Sequence, residues 1–170
     1  MIVVASVYHT GTNFIFQHLL KGMTQVGIAP DSKYVKGLPR NSFARIHCDL
    51  SQHVYLQWWL LRCLCVVPMR HPVSVAESWK ARGRDLANLA IQWNILKTEV
   101  DPYEPMYLPI DSPDRMNWLD TISRNIDREL QTDWPVVMSC NKSATLTETE
   151  REAVVEVMDD GFFDRFGYEE

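Results

Sequence analysis

Residues 60–79 read Leu-Leu-Arg-Cys-Leu-Cys-Val-Val-Pro-Met-Arg-His-Pro-Val-Ser-Val-Ala-Glu-Ser-Trp. The largely apolar run over 60–68 is typical of a buried strand. Pro72 suits the first position of a helix, where a missing N–H costs no hydrogen bond. Arg70 is therefore predicted to lie where a strand passes into a helix, at the edge where open α/β sheets bind ligands.

Ser78 follows His71 by about two helical turns, so it is expected on the helix face that carries the strand end. A guanidinium group and a hydroxyl group that converge on one face suit a phosphate. The same spacing also fits an arginine that ends a strand and a serine on an ordinary helix. The residues alone leave both interpretations open.

The composition is that of one globular domain over 1–170, with 46% hydrophobic and 23% charged residues. The net charge of −5 and the lack of a long basic run argue against duplex nucleic acid as a partner. No apolar run reaches the roughly 20 residues of a membrane span, so no membrane partner is expected. Four cysteines without zinc or redox spacing indicate reduced thiols in a cytoplasmic protein: Cys48, Cys63, Cys65 and Cys140.

Strand and helix patterns alternate along the chain, which predicts an α/β fold. We expect three layers, with a mostly parallel central sheet flanked by helices. The predicted strands cover 2–7, 42–47, 60–68, 106–110 and 136–138. The predicted helices cover 13–25, 52–59, a segment from 72, 85–98, 112–130, and a last helix that begins with a Thr147–Glu150 capping box and is closed by Gly161.

The loop after the first strand carries small and polar residues. It reads Tyr8-His9-Thr10-Gly11-Thr12-Asn13 and precedes a predicted helix. Such a loop directs backbone N–H groups and the positive end of a helix dipole at an anion. It lacks the second glycine and the lysine of a Walker A loop, which disfavours a standard Mg-nucleotide kinase.

Together these motifs resemble the sulfotransferases that use 3′-phosphoadenosine 5′-phosphosulfate (PAPS). The loop over 8–13 is similar to their 5′-phosphosulfate loop, which reads roughly Pro-Lys-Ser-Gly-Thr-Thr. Arg70, Pro72 and Ser78 match the spacing of their 3′-phosphate motif. Arg45-Ile46-His47 resembles a Lys-Thr-His segment whose histidine is the catalytic base, and 166–169 is similar to the tail of many bacterial members.

The resemblance implies a P-loop NTPase-like sulfotransferase fold and PAPS as co-substrate without a metal. A sulfuryl group would pass to a hydroxyl or amine of a small-molecule or carbohydrate acceptor. His47 would act as the base, and His9 or Arg45 would stabilise the leaving nucleotide. The nucleotide-binding residues would be His9, Thr10, Gly11, Thr12, Asn13, Arg70 and Ser78.

The sequence departs from the family pattern at three places. His9 replaces the basic residue of the loop, so its charge is expected to depend on pH near neutrality. Asn13 replaces a threonine, and the C-terminal Arg-Lys-Gly motif of the eukaryotic cytosolic enzymes is absent, with 141–143 as a partial substitute.

Other functions fit the same residues. A catalytically silent nucleotide-binding module would keep Arg70 and Ser78, and an atypical P-loop kinase would require magnesium. His47 also fits a structural hydrogen bond at a strand end, and Arg45 fits a surface partner of Asp49. Arg82 and Arg84 either approach the 3′-phosphate or remain ordinary surface charges. The acceptor and the oligomeric state are not specified by the sequence.

Overall fold

The computed structural model describes residues 1–12, 15, 19–29, 41–126, 144–158, 165, 166 and 168. The strands that it describes are parallel and form one sheet in the order β2-β3-β1-β4-β5. They are β1 (Ile2–Ser6), β2 (Thr24–Val26), β3 (Ser42–His47), β4 (Leu64–Met69) and β5 (Met106–Pro109). The prediction of an α/β fold with a parallel sheet is confirmed.

The described helices connect these strands or follow them. They are α1 (Leu56–Leu60), α2 (Pro72–Lys80), α3 (Leu86–Ile95), α4 (Arg115–Ile126) and α5 (Glu148–Met158). None of the helices in the described residues is long and apolar enough to cross a lipid bilayer.

Apolar side chains cover both faces of the sheet. Because side chains alternate along a strand, Val3 and Ala5 of β1 contribute to one core cluster, whereas Ile2 and Val4 contribute to another. The first cluster includes residues of α1, α2, α3 and α5, and the second includes residues of α4. Strands buried on both faces explain the nearly continuous apolar runs in the sequence.

β1 and β4 are neighbours at the centre of the sheet, and their register pairs Ile2 with Leu64 and Val4 with Val66. The chain leaves β1 toward β2 on one side and leaves β4 toward β5 on the other. A reversal of this kind opens a crevice beyond the carboxyl ends of the two strands. The loop over 8–12 and Arg70 both follow these ends, so the fold brings the two predicted motifs to one crevice.

The prediction of a helix over 13–25 is wrong at its C-terminal end, because Thr24–Val26 forms edge strand β2. Gly22, with φ of +81°, turns the chain before this strand. The three residues of β2 are exposed or half-buried. Such a short, exposed strand carries little of the hydrophobic pattern that identifies strands in a sequence.

Three other predicted boundaries shift. The strand expected at 60–68 begins only at Leu64, since Leu60 is still the last residue of α1. The helix expected over 52–59 divides into a 3₁₀ turn (His53–Tyr55) and α1. The helix expected over 85–98 leaves α-helical geometry after Ile95 and continues as a π-helical turn (Leu96–Val100).

The predicted start of the last helix is confirmed in its details. The Thr147 N–H donates to Glu150 Oε2 at 2.7 Å, and the Glu150 N–H donates to Thr147 Oγ1 at 3.3 Å, which is a capping box. The predicted strand over 136–138, the end of the helix over 112–130, Cys140, Gly161 and the segment 141–143 lie outside the described residues. The other cysteines, Cys48, Cys63 and Cys65, are free thiols.

Candidate anion-binding site

The β1 loop depends on an unusual backbone conformation. His9 has φ of +68° and Gly11 has φ of +92°. A Cβ at Gly11 would lie 2.0 Å from Ile110 Cδ1, which is far closer than real atoms approach. Position 11 therefore favours glycine because of its backbone angle, and a Cβ there would also force the end of the Ile110 side chain to move.

The donors of the loop are used differently from the prediction. Thr10 Oγ1 donates to the Val7 carbonyl oxygen at 2.8 Å, and the Thr10 N–H is directed at the same oxygen at 3.5 Å. Both Thr10 donors are thus turned toward a backbone carbonyl in this conformation, and Thr10 as a nucleotide-binding residue stays a prediction. The buried Thr12 has helical geometry, and the Ile15 N–H donates to the Gly11 carbonyl oxygen at 3.4 Å. Asn13 lies outside the described residues.

Arg70 turns toward the β1 loop. Its Nη1 donates to the His9 carbonyl oxygen at 3.3 Å, and its Nε lies 3.7 Å from Asp111 Oδ2. Arg70 is only 9% exposed. The two motifs that the sequence places far apart are thus in direct contact at the carboxyl ends of β1 and β4.

Ser78 lies on α2, where it is 1% exposed. Arg82 Nη1 donates both to the Ser78 carbonyl oxygen at 2.7 Å and to Ser78 Oγ. A second guanidinium group, that of Arg82, thus lies beside Ser78, the residue predicted to contact a phosphate. The i, i+4 spacing of Ser78 and Arg82 is the sequence signal that could have indicated this pair.

The His9 ring lies among positive charges. It meets the Trp79 ring edge-on at 5.7 Å, and its Nε2 is buried without a hydrogen-bond partner in the described part of the chain. Burial lowers the pKa of His9 to about 4, and the charges of Arg82, Arg84 and Arg70 add to the effect. The expectation that His9 loses its charge near neutrality is therefore wrong, because the ring is already neutral well below pH 7.

His47 ends β3 and is held between two partners. Its Nδ1 lies 3.3 Å from Ser6 Oγ, and the Tyr8 ring stacks on its face at 3.7 Å with an interplanar angle of 11°. Burial lowers the pKa of His47 to about 4, with the charge of Arg45 as the next cause. The pKa of His47 thus lies well below the usual histidine value near 6.5.

Arg45 precedes His47 by two residues on β3 and therefore lies on the same face of the strand. It is half-buried, and burial lowers the pKa of its guanidinium group. His47, predicted from the resemblance as the base, and Arg45, predicted to stabilise the leaving nucleotide, thus lie next to each other on one face of β3.

A cavity of about 490 Å³ opens beside Tyr8. Tyr8 belongs to the β1 loop, and its N–H donates to Gln92 Oε1 at 3.0 Å. The Arg84 guanidinium carbon lies 5.3 Å from the Tyr8 ring centroid and 5.1 Å from that of Trp79. Arg70 and Gly11 are not among the described residues that line the cavity, which are Tyr8, Asp49, Leu50, Ser51, Trp79, Arg84, Asp85, Asn88, Ile91 and Gln92.

Asp111 is the site residue whose role the sequence interpretation missed. Asp111 follows the last residue of β5 by two positions and reaches across to the start of α2. The His71 N–H donates to Asp111 Oδ2 at 2.9 Å, and Arg70 Nε lies 3.7 Å from the same oxygen. Forty residues separate these partners, so no local pattern could have indicated the contact.

The arrangement is suited to an anionic ligand. His9 Nε2 and Arg70 Nε are buried polar atoms without a hydrogen bond among the described residues, and anionic oxygens would provide one. Within the same residues, no three His, Cys, Asp or Glu side chains come together as a possible metal site.

No protein-family model, curated protein or solved structure matches the chain.

Proposed function

We propose that this protein is a PAPS-dependent sulfotransferase of P-loop NTPase-like fold that transfers a sulfuryl group to a hydroxyl or amine. The observation that carries the proposal is the contact between Arg70 Nη1 and the His9 carbonyl oxygen. This contact joins two sequence motifs of the family at neighbouring strand ends. A bisphosphorylated nucleotide needs two neighbouring anion-binding motifs, whereas a ligand with a single phosphate needs only one.

The two ends of the nucleotide fit different parts of the crevice. Arg70 and the Ser78–Arg82 pair would bind the 3′-phosphate, since guanidinium groups form strong charge-assisted hydrogen bonds with phosphate. The Gly11–Thr12 turn, where the Ile15 N–H donates to the Gly11 carbonyl oxygen, would bind the 5′-phosphosulfate. His9 Nε2, buried and without a hydrogen bond among the described residues, would be a further contact to an anionic oxygen.

The transfer itself needs positioning and charge stabilisation more than covalent catalysis. The acceptor oxygen or nitrogen attacks sulfur, while the bond from sulfur to the bridging oxygen of the 5′-phosphate breaks. The proton of the acceptor passes to His47, and the electron pair of the broken bond remains on the phosphate of the leaving nucleotide. Arg45, beside His47, and His9 would stabilise that negative charge.

The cavity beside Tyr8 is the place where we expect the acceptor. Its volume of about 490 Å³ is in the range of small-molecule sites. Asp49 and Asp85 contribute two carboxylates to its wall, against the single guanidinium group of Arg84. This balance of charge favours a neutral or cationic acceptor, such as an alcohol, an amine or a neutral sugar.

Incubation of the protein with PAPS and a panel of alcohols, amines and neutral sugars tests the proposal, with release of the desulfonated nucleotide (PAP) as the readout. We expect acceptor-dependent release that persists in EDTA, since sulfuryl transfer needs no metal. A reaction that requires magnesium and consumes ATP would favour the kinase instead.

A second candidate function is a nucleotide-binding module without turnover. Two observations favour it: the pKa of His9 is lowered to about 4, so the loop lacks the positive charge of the family lysine, and the Tyr8 ring covers one face of His47. Tight binding of PAP without any PAPS-dependent reaction would support this candidate.

A further inference from the structure

The Asp111 carboxylate connects three parts of the chain. Oδ1 accepts a hydrogen bond from the Tyr168 hydroxyl at 2.7 Å, and Oδ2 accepts one from the His71 N–H at 2.9 Å. Oδ2 also lies 3.7 Å from Arg70 Nε. The segment after β5, the start of α2 and Tyr168 thus meet at one carboxylate, although Tyr168 and Asp111 are 57 residues apart.

Tyr168 is fixed by packing as well as by its hydrogen bond. It is 8% exposed, and its ring meets the His71 ring at 5.4 Å. Burial raises the pKa of Tyr168, and the charge of Asp111 adds to this effect. The hydroxyl therefore keeps its proton over the whole working pH range and remains a donor to Asp111.

These contacts restrain the guanidinium group of Arg70 from two sides. Nη1 donates a hydrogen bond to the His9 carbonyl oxygen at 3.3 Å, and Nε lies 3.7 Å from Asp111 Oδ2, at ion-pair distance. A planar guanidinium group with two of its edges oriented in this way presents its remaining N–H groups in one fixed direction. Pre-orientation of this kind lowers the entropy that an arginine loses when it binds a ligand.

We propose that Asp111 and Tyr168 are positioning residues that orient Arg70 and so make the site select nucleotides that carry a 3′-phosphate. The inference rests on the proposed function, because that function assigns the 3′-phosphate to Arg70. It goes further in making selectivity depend on two residues that do not touch the nucleotide themselves.

The test is calorimetric titration of wild-type protein and Tyr168→Phe with PAP and with adenosine 5′-phosphate, which lacks the 3′-phosphate. Phenylalanine keeps the packed ring and removes only the hydrogen bond to Asp111. We expect the preference for PAP to fall about 3- to 10-fold, the equivalent of one ordinary hydrogen bond. The affinity for adenosine 5′-phosphate should stay within about 2-fold of wild type.

Tyr107→Phe is the matched control. The Tyr107 hydroxyl donates to Asp101 Oδ1 at 2.6 Å, so this variant also loses a half-buried tyrosine–aspartate hydrogen bond. Neither residue of that pair contacts Arg70 among the described contacts. The control should therefore lose a similar amount of stability in thermal unfolding and keep the full preference for PAP.

Asp111→Asn provides a second, independent variant. It keeps an oxygen acceptor but removes the charge that faces Arg70 Nε, so we expect the preference for PAP to fall here too. A rise in PAP affinity would contradict the inference, because it would show that Asp111 only repels the phosphate.

The remaining outcomes separate the inference from the proposed function. A wild-type protein that does not prefer PAP over adenosine 5′-phosphate would overturn the proposed function. A wild-type preference that Tyr168→Phe leaves intact would overturn only the inference. Equal losses for both nucleotides, or the same loss of preference in Tyr107→Phe, would indicate a merely structural role and would also overturn it.

Discussion

The two sides of the crevice are built in different ways. At the β4–α2 junction, polar pairs hold the side chains: Arg70 and the His71 N–H with Asp111, and Ser78 with Arg82. In the β1 loop, positive φ angles and the stacking of Tyr8 on His47 hold the side chains in place. His9 Nε2 is buried there without a hydrogen bond among the described residues. Under the proposed function, the junction would recognise the nucleotide, and the side of the β1 loop, with His9 and His47, would carry the chemistry.

The largest effect expected from this contrast is on the loop side. His47→Ala should lower turnover about 100- to 10,000-fold, the usual contribution of a general base, while PAP affinity stays at the wild-type value. Steady-state kinetics with PAPS and calorimetry with PAP check the two halves of this prediction. His53→Ala, outside the crevice, serves as the control. An unchanged rate in His47→Ala would show that His47 is not the base.

On the junction side, the expected effect is on binding. Arg70→Ala should weaken PAP binding about 10- to 100-fold, because hydrogen bonds to charged groups contribute about 1.5–3 kcal/mol. Arg62→Ala, which removes a guanidinium group that lies over the Trp58 ring, should have no effect on binding. If both variants bind PAP as tightly as wild type, Arg70 has no role in recognition.

The stability of the loop depends on Gly11 more than on other glycines with a positive φ. Gly11→Ala strains the backbone and also places a Cβ 2.0 Å from Ile110 Cδ1, whereas a Cβ at Gly22 meets nothing within 4 Å. Gly11→Ala should therefore cost about 1 to 3 kcal/mol more free energy of unfolding than Gly22→Ala. Denaturant unfolding measures the difference, and equal losses would mean that the loop adapts without strain.

The smallest effect concerns pH and again arises on the side of the β1 loop, from His9 and from His47 at the end of β3. The pKa values of His9 and His47 are lowered to about 4 in the folded protein, so the unfolded chain binds more protons between about pH 6.5 and pH 4. Their contribution to stability is complete above pH 6.5 and is lost as the pH falls toward 4. The urea concentration at the midpoint of unfolding should fall less between pH 7 and pH 4.5 in His9→Gln than in the wild-type protein. A midpoint that changes as much as in wild type would contradict the pKa shift of His9.

The sequence predicts what is local in this molecule. The spacing of Arg70, Pro72 and Ser78 identifies the β4–α2 junction because a proline and one helical period determine it. The Thr147–Glu150 capping box is equally local. Contacts between distant segments were missed: Asp111 with His71, and the stacking of Tyr8 on His47.

The pKa values of the two histidines could not be predicted for the same reason. Burial is the largest cause of both shifts, and burial depends on which segments pack over a residue. The charge of Arg82, which belongs to a distant segment of the sequence, also lowers the pKa of His9. A sequence shows which residues can titrate, but their environment follows only from the packed structure.

Calorimetric titration of the wild-type protein with PAP and with ATP tests the central claim most directly, namely that one crevice binds both phosphorylated ends of one nucleotide. We predict that PAP binds at least about tenfold more tightly than ATP, a difference of about 1.4 kcal/mol, and that EDTA does not change its affinity. Absence of PAP binding, or ATP binding of equal or greater strength, would contradict the account.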